Sequence, residues 1–206
     1  MKWTPSLSST KGRSWCLTAA CGATPATASG PIKKPRPWRG TPAHRPRPPR
    51  NCLITGSLDS PTGIERLAGY KEALAQHDIA LNDALIVKGK WTPETGAAGV
   101  ETLRQRGVSY SALVASNDDM AIGAMKQLHL HGVKVPEQVS VIGFDDIVLA
   151  PYMIPALSSV KIPVTEMIKE SINRLIFMLD GGDLKFQQTF PGELIERDSL
   201  TAGPGV

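Results

Sequence analysis

Four side chains standing at the ends of apolar runs carry the chemistry this sequence has to offer: Arg66, Trp91, Asn117 and Asp145. A carboxylate accepts from two hydroxyls at once, a carboxamide both donates and accepts, and a guanidinium donates in a planar fork. With an indole face for apolar C–H surface, the set suits a polyhydroxylated ligand. Each member also has a plainer reading: Asp145 and Asp146 as cap or turn residues, Trp91 as a partly buried packing residue, Arg66 as a surface ion pair with Glu65 or Glu72. Asp145 and Asp146 are sequence neighbours, so their carboxylates are expected to diverge instead of facing one substrate atom. Catalytic signatures are missing. The sequence has neither a G-x-G-x-x-G nor a G-x-x-x-x-G-K-[ST] phosphate loop, and no G-x-S-x-G nucleophile turn. His44, His77, His129 and His131 fall in the N-terminal stretch or at helix ends, and no Cys/His cluster has metal-ligand spacing. The expectation is a binding protein with no enzyme activity, no cofactor and no metal.

The elements that must position these residues follow a regular alternation from Leu53 onward. LITGS is a short apolar run. Pro61 and Thr62 open a helix to about His77, with Ile64, Leu67, Ala68 and Leu74 at core spacing. ALIVKG (84–89) reads as a strand, and Thr92-Pro93-Glu94 starts a helix that ends at Gly107. SALVAS (111–116) is a strand, after which Asn117 or Asp118 can cap a helix through about His131, where Gly132 stops it. VSVIGF (139–144) is continuous and apolar, as strands covered on both faces are. SSVKI (158–162) is extended, Pro163 opens a helix to Leu179, and two short strands near 185–190 and 193–196 follow. This pitch predicts an α/β doubly wound parallel sheet, whose ligands lie at the carboxyl ends of the strands. Leu58–Thr62, Lys90–Trp91, Asn117-Asp118 and Asp145-Asp146 then share one rim.

The formal net charge of +4 over 206 residues averages two unlike pieces. Residues 1–50 hold ten Lys/Arg, no Asp or Glu, and nine prolines, whereas residues 51–206 hold thirteen Lys/Arg against nineteen Asp/Glu. Residues 1–52 therefore read as a disordered, basic, Pro-rich tail, open to three functional readings: a phosphate-binding arm for nucleic acid, an organelle transit peptide, or a polyproline ligand. Cys16, Cys21 and Cys52 lie in or beside that tail, so no disulfide framework is supported. No run reaches the length of a membrane span and no apolar h-region follows the N-terminus, which points to a cytoplasmic protein.

The rim loops also carry a family signature. SLDSPTGIERLAGY, LVASNDDMAIGAM, VPEQVSVIGFDDI and PALSSVKIPVTEM, in this order and spacing, resemble the sensor domain of the LacI/GalR transcriptional repressors over about Leu53 to Leu200. The resemblance implies a periplasmic-binding-protein-like (type I) fold, here essentially one lobe over 53–200 with a flexible end at 201–206. It implies ligand contacts at Ser60, Thr62, Arg66, Trp91, Asn117 and Asp145, and a small-molecule effector that is a sugar or β-glucoside. It also implies operator DNA as partner and a homodimer, both in an intact family member.

A helix-turn-helix headpiece, hinge and N-terminal lobe are not recognisable in this sequence, so the expectation is a truncated sensor without specific base readout. Thr18–Pro31 and Thr41–Leu53, back-translated and shifted by a base, spell runs like those preceding the sensor segment in the family. Residues 1–52 are thus expected to be an out-of-frame translation, with the frame restored near Cys52–Leu53. SSVKIP resembles the crossover to the N-terminal lobe. The following helix is then expected to expose Ile168, Ile172, Leu175, Ile176 and Leu179 and to promote self-association. The competing readings are a transport-type sugar solute-binding protein and a basic-tail nucleic-acid binder.

Overall fold

The computed structural model describes residues 50–182 and 189–201. Strands β1 (Asn51–Thr55), β2 (Ile86–Lys88), β3 (Ala112–Ala115), β4 (Ser140–Asp145), β5 (Ser158–Lys161) and β6 (Glu193–Ile195) form one sheet in the order β2-β1-β3-β4-β5-β6. β1 to β5 run parallel, and β6 pairs antiparallel with β5, so the sheet is mixed at that edge. Helices α1 (Pro61–Gln76), α2 (Pro93–Gln105) and α3 (Asp118–Leu130) link the parallel strands, and α4 (Val164–Leu179) follows β5. The strand order reverses between β1 and β3, and a crevice opens there at the carboxyl ends of the strands.

Period-two alternation divides the core between the two faces. Cys52, Ile54, Leu113, Ala115 and Val141 point to the face covered by α2 and α3, where Val100, Leu103, Met120, Ala124 and Leu128 meet them. Leu53, Val114, Ile142 and Val160 point the other way, under Tyr70 and Leu74 of α1. α2 and α3 approach closely because two glycines let them: a Cβ on Gly96 would overlap the Met120 carbonyl, and one on Gly123 the Pro93 carbonyl. Gly132, at φ 69°, ends α3 in the left-handed conformation that a glycine adopts without penalty.

Several elements differ from the sequence expectation for physical reasons. β1 begins at Asn51, and both Asn51 and Cys52 are buried in it, so the end of the span 1–52 read as a disordered tail belongs to the sheet; residues 1–49 of that span lie outside the described residues. The start of ALIVKG is a 3₁₀ turn, Asp83–Leu85, because the Asn82 side chain accepts from Ala84 N–H and draws the chain into a turn. In α1 the buried stripe runs through Gly63, Tyr70, Ala73 and Leu74, while Ile64 and Ala68 lie exposed. The expected strand at 185–190 falls largely on 183–188, outside the described residues; 189 and 190 are not in a strand. α4 buries none of its residues, and Ile168, Ile172, Leu175, Ile176 and Leu179 are all more than half exposed, as expected. Ile168, Ile172 and Leu175, with Ile162, Val164, Met167 and Ser171, line a groove of about 400 Å³.

Candidate ligand site at the carboxyl rim

Ser60 caps α1: its Oγ accepts from Gly63 N–H at 3.2 Å and donates to the Ser57 carbonyl. A Pro at the first helical position completes the start. The cap sets the phase of the helix, and Arg66, in its second turn, consequently points inward over the crevice. The same phase leaves Thr62 exposed at the rim.

Arg66 ties the site together. Its Nη2 donates to Asp145 Oδ1 at 3.0 Å, and its Nη1 donates to the Ser116 carbonyl at the end of β3. The guanidinium carbon sits 3.8 Å from the Phe144 ring centroid and 5.4 Å from that of Trp91. Such cation–π contacts are worth about 0.5–2 kcal/mol each, more as water is excluded. The alternative reading, a surface pair with Glu65 or Glu72, is not what forms; Glu72 instead accepts from Gln76. Beneath the guanidinium a cavity of only about 10 Å³ remains between Leu53, Tyr70 and Val114. That is room for one water at most.

Trp91 follows β2 with φ 67° and lays its ring on Gly56, where any Cβ would overlap the indole. Its carbonyl accepts from Asn117 Nδ2 at 3.0 Å, and Asn117 Oδ1 accepts from Met120 N–H as the cap of α3. Trp91 also packs on the core, so its structural and rim roles coexist. Asn117 spends both ends of its carboxamide inside the protein, and its 8% exposure confines any ligand contact to one edge.

Asp145 ends β4, Asp146 follows it, and the two side chains diverge as expected. Asp145 faces Arg66, while Asp146 Oδ1 accepts from Arg197 Nη2 at 2.7 Å. Both have positive φ, 109° and 53°, a backbone state that costs on the order of 1–3 kcal/mol per residue. Burial pushes the Asp145 carboxyl above its ordinary value and the Arg66 guanidinium below its own, with their mutual attraction opposing both. The pair is partly exposed, at 17% and 32% of the side chains.

The structure thus brings Arg66, Trp91, Asn117 and Asp145 together at the β1/β3 switch, with Ser60 serving as cap and Thr62 on the outer edge. Sequence reading missed Phe144, Ser116 and Arg197, and placed Asp118 on the rim only as a possible cap. Phe144 had a usable signal, since it lies two residues beyond Ile142 and so shares the face under α1. Among the described residues no group of three His, Cys, Asp or Glu is placed to hold a metal. Burial pushes the Cys52 thiol far up, which leaves it unreactive. His131 pairs with Glu101 on α2 at 3.2 Å, a surface contact formed by α2 and the end of α3. The rim therefore offers a carboxylate acceptor, a forked donor and two aromatic faces.

The periplasmic binding protein-like domain family matches residues 50–200. The HTH-type transcriptional regulator AscG of Escherichia coli (strain K12) is 74% identical over 151 residues, 73% of this chain and 45% of AscG. The crystal structure of the Escherichia coli transcriptional repressor ascG superposes with a TM-score of 0.68 at 72% identity, over 73% of this chain and 55% of that one. The transcriptional regulator CelR in complex with cellobiose gives a TM-score of 0.70 at 31% identity, over 73% of this chain and 46% of that one. The chain spans a little under half the length of AscG. These relatives are transcriptional regulators, which does not favour a transport-type receptor, and none is described as an enzyme. No helix among the described residues is long and apolar enough to cross a membrane.

Proposed function

Because the chain belongs to the periplasmic binding protein-like domain family, with relatives among the LacI-type regulators, we propose that its rim is one wall of an effector site for a β-glucoside or related sugar. In this reading Asp145 and Arg66 hold vicinal hydroxyls, Trp91 meets the apolar face of a pyranose while Phe144 backs the Arg66 guanidinium, and Asn117 and Thr62 contact its edge. Ser60 acts through the cap that phases α1. The observation that carries the reading is the Arg66 fork held between Asp145 and two aromatic rings at the switch point of the sheet. CelR, whose structure holds cellobiose, shares this architecture at 31% identity. Operator DNA is a partner of an intact regulator, in which this domain reports effector occupancy and binds no DNA sequence on its own. A homodimer of that regulator fits the exposed apolar loop of Val148, Leu149, Tyr152 and Ile154 beside the site. The protein performs no catalysis and works in the cytoplasm.

Calorimetric titration of the purified protein tests this, with cellobiose and aryl β-glucosides against the α-linked maltose. Saturable binding of a β-glucoside, weakened about tenfold or more by Asp145→Ala, is expected, because hydrogen bonds to a charged group are worth about 1.5–3 kcal/mol. A rim that binds no glycoside, or an Asp145→Ala variant that binds as well as the parent, would overturn it.

A further inference from the structure

At the end of β4 the chain passes through two consecutive left-handed residues, Asp145 and Asp146, and a specific set of bonds holds it there. Ile147 N–H donates to Asp118 Oδ2 at 2.8 Å, and Asp146 N–H donates to Ser159 Oγ at 3.0 Å. The Ser159 hydroxyl donates in turn to Asp118 Oδ1 at 2.6 Å. One carboxylate, 0% exposed, therefore gathers both backbone N–H groups, the first directly and the second through a hydroxyl. Gly143 makes the space, since a Cβ there would overlap Asp118 Oδ1. The Asp146 side chain is anchored separately by Arg197, which also donates to the Leu157 carbonyl at 2.7 Å. Asp118 is not needed as the helix cap, because Asn117 already supplies that bond to Met120 N–H. Its two oxygens are committed to the turn.

We propose that Asp118 and Ser159 are positioning residues of the ligand site: they lock the Asp145-Asp146 turn in the left-handed form that aims the Asp145 carboxylate at Arg66 and at a bound hydroxyl. Neither touches the ligand. The proposal rests on the reading of the rim as a sugar site and adds what presets its charged acceptor. Preorganisation of this kind is lost when a supporting hydrogen bond is removed, even where the contacting residues are intact.

The test compares the protein with its Ser159→Ala, Ser159→Thr and Asp118→Asn variants. Cellobiose affinity is measured by calorimetry, and the Asp145 ¹³Cγ resonance and the Asp146 and Ile147 amide exchange rates by NMR of the ligand-free protein. Ser159→Ala is expected to weaken cellobiose about tenfold or more, shift the Asp145 resonance and speed exchange at both amides. Ser159→Thr keeps the hydroxyl and restores affinity to within about twofold, a rescue that general loss of packing would not give. Asp118→Asn keeps an acceptor for Ile147 N–H and falls between the two, so the proposal does not depend on one variant folding. An unchanged Asp145 resonance and affinity in Ser159→Ala overturns the proposal. Where the parent binds no glycoside, a shifted Asp145 resonance in Ser159→Ala still supports the positioning role while the sugar reading fails; an unshifted one overturns the role as well.

Discussion

Replacing Asp118 with Asn should change how stability depends on pH. Asp118 is fully buried in the first turn of α3, with Asp145 and Asp146 adding repulsion nearby. Its hydrogen bonds from Ser159 and Ile147 oppose these effects, but burial dominates and pushes its carboxyl from 3.8 up to about 6. The two guanidiniums of this region, Arg66 and Arg197, are engaged by Asp145 and Asp146 respectively. A raised folded-state pKa means that the folded protein binds the proton more tightly than the unfolded chain. The associated stability is fully present below 3.8 and is lost as pH rises through about 6. Two units at 1.36 kcal/mol per unit amount to about 3 kcal/mol, of which roughly 2 kcal/mol falls between pH 4 and 7. Asn mimics the neutral acid in size and carries no titration. The stability of Asp118→Asn minus that of the parent should therefore rise by roughly 2 kcal/mol from pH 4 to 7, on top of a constant offset from the altered hydrogen bonds. Urea unfolding followed by circular dichroism at pH 4, 5, 6 and 7 measures this, with m-values checked for constancy. The subtraction cancels every other titrating group. Curves that stay parallel would refute the reasoning, because they would mean that the two donated hydrogen bonds fully offset the burial of the charge.

Two further expectations concern packing. Gly123→Ala drives a methyl into the Pro93 carbonyl where α2 crosses α3, and should lower unfolding free energy by about 3 kcal/mol in urea titrations; a loss below about 1 kcal/mol would mean that the helices slide apart freely. On α4, Ile172→Glu with Leu175→Glu removes apolar surface that is already half exposed. Stability should stay within about 0.5 kcal/mol, while light scattering after size exclusion should show the parent self-associating and the double variant not.

The order of elements was legible because each strand and helix is announced by local rules: apolar runs of strand length, Pro at helix starts, Gly132 after α3. The rim was legible for the same reason, since a doubly wound sheet delivers strand ends to one side and the polar residues following them are few. What stayed hidden needs distance in sequence or a role that polarity misstates. The stripe of α1 was read through Ile64 and Ala68, yet the helix turns Arg66 and Tyr70 inward, Tyr70 donating to the Asn51 carbonyl at 2.8 Å. A count of apolar residues cannot see that two polar ones belong to the buried face. Asn117 and Asp118 were interchangeable as caps on paper. The fold separates them, giving Asn117 the cap and burying Asp118 against β4, because only Gly143 leaves space for a carboxylate. The stripe on α4 was read correctly because its apolar residues outnumber the polar ones on that face, Ser171 among them, and no segment of the sensor pattern follows to cover them.

The charge layout of the rim bears on what kind of ligand it accepts. Two guanidiniums, Arg66 and Arg197, stand among three carboxylates, Asp118, Asp145 and Asp146, and each guanidinium is already paired. A neutral polyol can join the Arg66–Asp145 pair without separating it, since a hydroxyl donates to the carboxylate and accepts from the fork together. On the proposed reading, an anionic ligand that takes the Arg66 fork for itself draws it away from Asp145. It would then leave a half-buried carboxylate, already raised by burial, without its cation; breaking a buried pair in this way costs about 3–5 kcal/mol, and somewhat less at the partial exposure found here. The aromatic walls push in the same direction: Phe144 and Trp91 hold the guanidinium by its π faces, so the fork turns only with loss of those contacts. On the proposed reading, the Arg66–Asp145 pair thus favours neutral, hydroxyl-rich ligands, which join the pair without separating it.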